Sequence, residues 1–294
     1  MPDQNIVTPF IVEDLDIRGR IAKLNSTIDN IIWRHNYPEA VSHLVAQITA
    51  LAALLGSNLK NHERFSIQIR STGAIKLLIC DFTAPNGVRS YAKFNEEELK
   101  SKNLLGQGTI TFIINEPSST PLYQAIVALE GDSIAEIAER YYEQSEQIPT
   151  KIKLFSGLFV DNKSKKREYR AGGFLIQNLP HNASAGYVSY NSSYNKENWT
   201  EAKVLAQTIS EDELLHVENI SANTLLFRLF HQYAVRVFEP IEILDVCSCS
   251  KERIEEVIKS FNDEEIASCS ENGKIKVTCQ FCSKNYNIDP TKLG

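Results

Sequence analysis

The 294-residue sequence predicts an α+β chain in three parts. These are an N-terminal domain of antiparallel strands with long helices, a helical linker, and a small C-terminal domain of a helix plus short strands. Three observations predict it. Apolar residues at three-four spacing over 41–55 mark one long core helix. The period then drops to two in successive segments over 65–114, separated by Gly73, Pro85-Asn86-Gly87 and Gly106-Gln107-Gly108, as in paired strands and turns. Five of the six cysteines fall within 247–282, beyond a polar stretch at 181–200 where the composition shifts. The length exceeds one average domain. We therefore expect a core domain over 1–180, a linker over 181–238 and a cysteine-bearing domain over 239–294.

Residues 6–24 carry Phe10, Ile11, Val12, Ile17 and Ile21 and read as extended chain, interrupted by Gly19. Ser26 with Asp29 has the form of a capping box ahead of Ile28, Ile31 and Ile32. Pro38 opens the long helix, because proline is tolerated in a first turn. Segments 65–69, 75–82, 88–94 and 109–114 then read as a meander of strands. Cys80 lies in the second of them and reads as a small buried hydrophobe. Gly131-Asp132-Ser133 caps a helix through Ile134, Ile137, Ala138, Tyr141 and Tyr142 that stops before Pro149. Strands over 152–160 and 170–177 follow. The charged segment between them, with Lys163, Lys165, Lys166 and Arg167, reads as a solvated loop rather than an anion patch.

Helical patterns recur at 202–209, 214–217 and 224–230. The last carries Leu225, Leu226, Leu229 and Phe230. That is either ordinary packing on the first domain or an apolar surface covered in one state and exposed in another. Ser250 is placed to cap a helix with Ile254, Val257, Ile258 and Phe261 on one face. Gly273 then turns the chain into a strand over 274–278 that delivers Cys279 and Cys282.

The chemistry sits in two close cysteine pairs, Cys247-Ser248-Cys249 and Cys279-Gln280-Phe281-Cys282. Four sulfurs in two pairs can surround one ion tetrahedrally, and zinc prefers that geometry and that ligand softness. Spacing alone leaves two readings. One is a closed zinc site that only staples a small fold. The other is a metal site that doubles as a thiol switch, since Cys247 and Cys249 are near enough in sequence to pair on oxidation in a strained, labile disulfide.

Composition narrows the partners. A net charge of −6 argues against a nucleic-acid binder, which needs a basic face, and so against a zinc ribbon on nucleic acid. The first residues, Met1-Pro2-Asp3-Gln4-Asn5, show no basic region leading into an apolar run. We expect a cytoplasmic protein whose thiols are kept reduced. The longest apolar run, 44–55, contains Gln47 and Thr49 and is too short to span a bilayer, so no membrane is expected. There is no Gly-x-x-x-x-Gly-Lys phosphate loop, and the six histidines are scattered without a His/Asp/Ser constellation. No enzyme is expected. The rival reading is a thiol-disulfide oxidoreductase working through the Cys-x-x-Cys pair.

With these residues placed, the chain resembles the redox-regulated heat-shock chaperone family known as the thirty-three-kilodalton heat-shock chaperonin. The resemblance spans nearly the whole chain. It is carried by Cys247-Ser248-Cys249-Ser250-Lys251-Glu252-Arg253, by Val277-Thr278-Cys279-Gln280-Phe281-Cys282 with Tyr286, and by Phe227-Arg228-Leu229-Phe230-His231. Val235-Arg236-Val237-Phe238-Glu239-Pro240, Gly172-Gly173-Phe174-Leu175-Ile176-Gln177 and Tyr142-Glu143-Gln144-Ser145-Glu146-Gln147 add to it. The resemblance implies an α/β N-terminal domain, a flexible linker and a C-terminal zinc domain. It implies one zinc ion held by Cys247, Cys249, Cys279 and Cys282 in the reduced state. It further implies Cys247–Cys249 and Cys279–Cys282 disulfides on oxidation, with zinc release. The product would be an ATP-independent holdase for unfolded client proteins, a homodimer when oxidised. Cys269 departs from this pattern and reads as a bystander thiol or as a fifth thiol able to misdirect pairing.

Overall fold

The computed structural model describes residues 4–59, 63–100, 104–115, 123–131, 133–160, 166–179, 193–216, 220–271 and 273–292. In chain order these form β1 (Ile6–Val12), β2 (Ile17–Leu24), α1 (Ser26–His35), α2 (Glu39–Gly56), β3 (Arg64–Ser71), β4 (Ile75–Thr83), β5 (Gly87–Phe94), β6 (Gly108–Asn115) and β7 (Tyr123–Ala128). Then come α3 (Ile134–Tyr141), β8 (Thr150–Val160), β9 (Arg167–Asn178), α4 (Ser193–Gln207), α5 (Glu211–Leu215), α6 (Ala222–Phe230), β10 (Val235–Val237), β11 (Ile241–Glu242) and β12 (Leu244–Asp245). The last are α7 (Lys251–Ile258), α8 (Asp263–Cys269), β13 (Ser270–Glu271), β14 (Lys274–Thr278) and β15 (Asn285–Ile288). The α+β class expected from sequence is the class observed. The chain divides into two compact units, Met1–Asp245 and Val246–Gly294.

The first unit contains two sheets. One runs β10-β1-β2-β9-β8, with β11 also on β1, and the other runs β12-β5-β4-β3-β6-β7. The expected meander holds for β3, β4 and β5, but β6 returns to pair with the far side of β3, and β7 extends that edge. The 18-residue helix α2 is apolar nearly all round, which is the pattern of a helix covered on several sides. It has the length and apolarity of a membrane span, and here it is buried among strands of both sheets. Val45, Ile48, Leu51 and Leu54 of α2 share one core with Leu24 and Leu175 of the first sheet and Ile67, Leu78 and Phe112 of the second. Cys80 is fully buried in that core, as expected.

Residues 6–24 are a tight hairpin, with Asp16 in the left-handed region at its corner. Gly19 sits within β2 rather than breaking it. A Cβ there would lie 2.2 Å from Phe10 Cζ, so only glycine admits that ring. The capping box proposed at Ser26 and Asp29 is not formed. Asp29 Oδ1 instead accepts from Tyr169 N at 2.8 Å, and Asn5 Oδ1 reaches across to accept from Asn25 N and Thr27 N at the start of α1. Tertiary partners have taken over both roles. Ser133 caps α3 as expected, accepting from Glu136 N at 3.2 Å, and one π-turn over Tyr142–Glu146 follows. Asp132 and Lys163 and Lys165 of the charged loop lie outside the described residues.

The opposite face of the first sheet carries the second core. Phe10, Ile21, Phe174 and Ile176 meet Ala206, Leu214, Leu226 and Phe230 from α4, α5 and α6. Phe10 lies 5.7 Å from Phe174 and 6.1 Å from Phe230, centroid to centroid. The helical stretch expected as a linker therefore packs on strands of the first unit. Lys23, almost wholly buried on β2, donates its Nζ to the Glu213 and Ile220 carbonyls and so ties the α5–α6 segment down. Residues 239–245 also stay with the first unit: Ile241 pairs with Val7, Leu244 pairs with Gly87, and Arg34 forms an ion pair with Asp245. Strand pairing thus carries the first unit past residue 239 to Asp245. Residues 180–192 lie outside the described residues.

The candidate metal centre

Among the described residues, the second unit's core has four buried apolar side chains, Ile258, Ile275, Tyr286 and Ile288, with Ile254, Ile266 and Val277 partly buried around them. Ser250 caps α7, accepting from Arg253 N at 3.2 Å. Arg253 Nη1 donates back to Ser248 O at 3.0 Å and closes the Cys247-Ser248-Cys249 turn. Of the face proposed for this helix, Ile258 is buried, whereas Val257 is exposed. Gly273 turns with φ +73° into β14, which pairs with β15. The turn between those two strands holds the second pair. Cys279 N donates to Lys284 O at 2.9 Å, Ser283 N donates to Cys279 O at 2.8 Å, and Ser283 is left-handed.

These two turns bring the four sequence-predicted sulfurs together. All four lie within 4.8 Å of one another. Cys247 Sγ and Cys279 Sγ are 3.7 Å apart, and Cys249 Sγ and Cys282 Sγ are 3.3 Å apart. A tetrahedral zinc–thiolate site with bonds of about 2.3 Å has sulfur–sulfur edges of about 3.8 Å, so these four residues fit one ion. No disulfide links them.

A residue that the metal spacing did not single out completes the site. Tyr286, on β15 opposite Val277, sets its hydroxyl 3.1 Å from Cys249 Sγ. The signal for it was an aromatic four positions after Cys282 in a strand with alternating burial. Burial pushes the Cys249 thiol up, but hydrogen bonds from Tyr286 and the other three sulfurs outweigh it and bring it down to about 7. Burial and the neighbouring sulfurs push Cys282 the other way, to about 12. Four thiols this close cannot all ionise without a cation among them. Cys80 shows the contrast, with burial pushing its thiol up to about 12. Cys269 ends α8 exposed, outside the four-sulfur group.

The scattered histidines hold one surprise. His43 Nδ1 lies 3.0 Å from Ser156 Oγ, and His43 Nε2 lies 3.8 Å from Glu39. Ser156 is buried, and its hydroxyl also contacts Gln47 Nε2 and the His43 carbonyl, so it ties β8 to α2.

An α+β core unit followed by a small unit organised around four cysteines defines the class: a two-unit protein whose second unit carries a four-cysteine cluster able to hold a metal ion. The chain matches the family model described as Hsp33 protein over residues 5–289. The 33 kDa chaperonin of Caulobacter vibrioides strain NA1000 / CB15N is 35% identical over 297 residues, covering 97% of this chain and 95% of that protein. The 33 kDa chaperonin of Azotobacter vinelandii is 34% identical over 300 residues, covering 100% of this chain and 95% of that one. In fold, the chain superimposes on the crystal structure of the 33 kDa chaperonin of Thermotoga maritima with a TM-score of 0.79 at 21% identity, over 98% of this chain and 96% of that one. The chain belongs to the Hsp33 family of chaperones.

Proposed function

We propose that this protein is a redox-regulated, ATP-independent holdase of the cytoplasm that binds unfolding proteins under oxidative stress. The observation that carries the reading is the set of four sulfurs within 4.8 Å in a unit whose own core is four side chains. Roughly fifty residues with so small a core are not stable by burial alone. A zinc ion held by Cys247, Cys249, Cys279 and Cys282 would supply about 10–16 kcal/mol of apparent binding energy, more than the ~5–15 kcal/mol that stabilises a typical whole domain. It would also keep the sulfurs as thiolates, the form that peroxide attacks.

Oxidation removes two electrons from each pair of sulfurs as a disulfide forms, and peroxide takes them and leaves as water. Family behaviour favours Cys247–Cys249 and Cys279–Cys282 pairing; all four sulfurs lie within 4.8 Å of one another, so peptide mapping of the oxidised protein decides the connectivity. Either pairing removes the ligand set, releases the ion and leaves the second unit without its main stabilisation. The active form is proposed to be a homodimer.

The test is light scattering from a thermally unfolding client. The zinc-loaded reduced protein should leave aggregation unchanged, and the same protein after peroxide and mild heat should suppress it, with zinc release tracking activity. Cys279→Ser should be active without oxidant, and an inert variant sinks the mechanism. If neither form suppresses aggregation, the four sulfurs are a structural staple. A thiol-disulfide oxidoreductase is the second reading, and insulin reduction measures it directly.

A further inference from the structure

Strand β2 carries two arginines on one side. Successive strand residues point to opposite faces, and here Ile17 and Ile21 enter the second core while Ala22 and Leu24 enter the first. Arg18 and Arg20 share the alternation of Ala22 and Leu24, so they continue the first-core face toward the start of β2. Arg20 is only 8% exposed, and Arg18 is half-buried. A guanidinium keeps its charge at any physiological pH, so a buried one is costly unless an anion pairs with it. Among the described residues neither arginine has an ion-pair partner, and Arg20 makes no hydrogen bond.

The groups around them do not supply that anion. Gln177, opposite Arg18 on β9, accepts from Arg18 Nε at 3.1 Å, and its own Nε2 donates to Thr150 Oγ1 at 3.4 Å. Gln177 therefore holds Arg18 in place with a neutral acceptor. Ile148 N donates to Tyr142 O at 3.0 Å, which ties the π-turn to the entry of β8. The Tyr142 phenol acts electrostatically on both arginines, and burial pushes it above its ordinary range, so its hydroxyl keeps a proton to donate. Burial and then the like charge of Arg18 bring the Arg20 guanidinium down to about 10, still charged at neutral pH. The carboxylates of α3 and the π-turn are engaged elsewhere. Glu146 accepts from the Tyr123 and Tyr141 hydroxyls, Glu139 accepts from Ile152 N at 2.7 Å and pairs with Lys151 at 3.0 Å, and Glu143 is exposed.

We propose that Arg18 and Arg20 form an anion site that takes a phosphate group, with the Tyr142 hydroxyl as a further donor. The proposal rests on the first unit alone and is independent of the chaperone reading above. Charge selects the occupant. Two cations side by side call for two negative charges, which one phosphate dianion supplies and a single carboxylate or chloride does not. Each guanidinium presents a planar fork of N–H donors that matches two phosphate oxygens. The small exposure of Arg20 favours a compact ion, so free inorganic phosphate is the first ligand to test. Bound there, it joins β2 to the π-turn and stabilises the first unit by mass action.

The experiment is calorimetric titration of the full-length, zinc-loaded, reduced protein with inorganic phosphate, alongside thermal unfolding in phosphate, acetate or chloride at one ionic strength. Saturable binding of one phosphate per chain is expected, with a rise in melting temperature that acetate and chloride do not give. Arg20→Met should abolish both responses and yet raise the melting temperature in the absence of phosphate, because it removes a buried charge beside a like charge and keeps an apolar stem. An arginine that serves only to pack the fold would not produce those opposite signs. Arg18→Gln should weaken binding about tenfold or more, and Tyr142→Phe about threefold to tenfold. Glycerol 3-phosphate separates the sources: affinity equal to that of free phosphate assigns the site to the phosphate group of a larger molecule, and weaker binding assigns it to the free ion. If acetate and chloride raise the melting temperature as much as phosphate does, the effect is screening of the two arginines and the proposal is overturned. A phosphate response that survives in Arg20→Met, or the absence of both saturable heat and a phosphate-specific rise, also overturns it.

Discussion

The two units of this chain solve the same problem by different means. The first surrounds an 18-residue helix with two sheets and covers the back of one sheet with three more helices, so that apolar burial supplies its stability. The second buries four apolar side chains and gathers four thiols. On the function proposed above, its stability depends on thiol chemistry in a way that the first unit's does not. The thiols repeat the contrast. Cys80 in the large core is pushed up to about 12 by burial, whereas Cys249 is brought down to about 7 by its hydroxyl and sulfur neighbours. The same thiol is held protonated by burial in one unit and drawn toward the thiolate by its neighbours in the other.

Metal removal should give the largest separation between the units. A strong chelator is expected to abolish amide-exchange protection in β14 and β15 while β3 and β4 keep theirs, a loss on the order of 10 kcal/mol confined to one unit. Loss of protection in both would erase the contrast. Next in size is Phe174→Ala, which empties part of the second core. It should cost about 3–5 kcal/mol in denaturant unfolding of the first unit and leave metal affinity unchanged. Tyr286→Phe keeps the ring but removes the hydroxyl from Cys249 Sγ, and should weaken metal binding about tenfold in a competition titration. Lys23→Met leaves the Glu213 and Ile220 carbonyls without their buried donor and should cost about 1–3 kcal/mol, read as faster exchange in α5 and α6. Cys269→Ser should change neither metal stoichiometry nor stability, and a change in either would place the fifth thiol in the site.

The exposure of Phe227 also revises an expectation. The segment containing Phe227, Leu229 and Phe230 is expected from sequence either to pack on the first domain or to be covered in one state only. Leu229 and Phe230 are in fact buried with Phe10 and Phe174, so oxidising the second unit does not by itself remove their partner. Phe227 is exposed while no disulfide links the four cysteines.

What the sequence by itself determined is local. The three-four spacing of α2, the period-two strands β3 to β6, the Ser133 and Ser250 caps and the two cysteine turns are each written within a few neighbouring residues, where periodicity and capping chemistry act. The four-cysteine cluster was legible for the same reason: each half of it is a short turn. The tertiary structure decided what depends on distant partners. It diverted Asp29 from its own helix to Tyr169, returned β6 to β3, and drew residues 241–245 onto the strands of the first unit. It laid α6 on Phe10 and Phe174, and placed Tyr286 against Cys249. Those outcomes follow from which faces bury each other and which polar groups find partners across the chain, and no window of sequence contains both sides of such a contact.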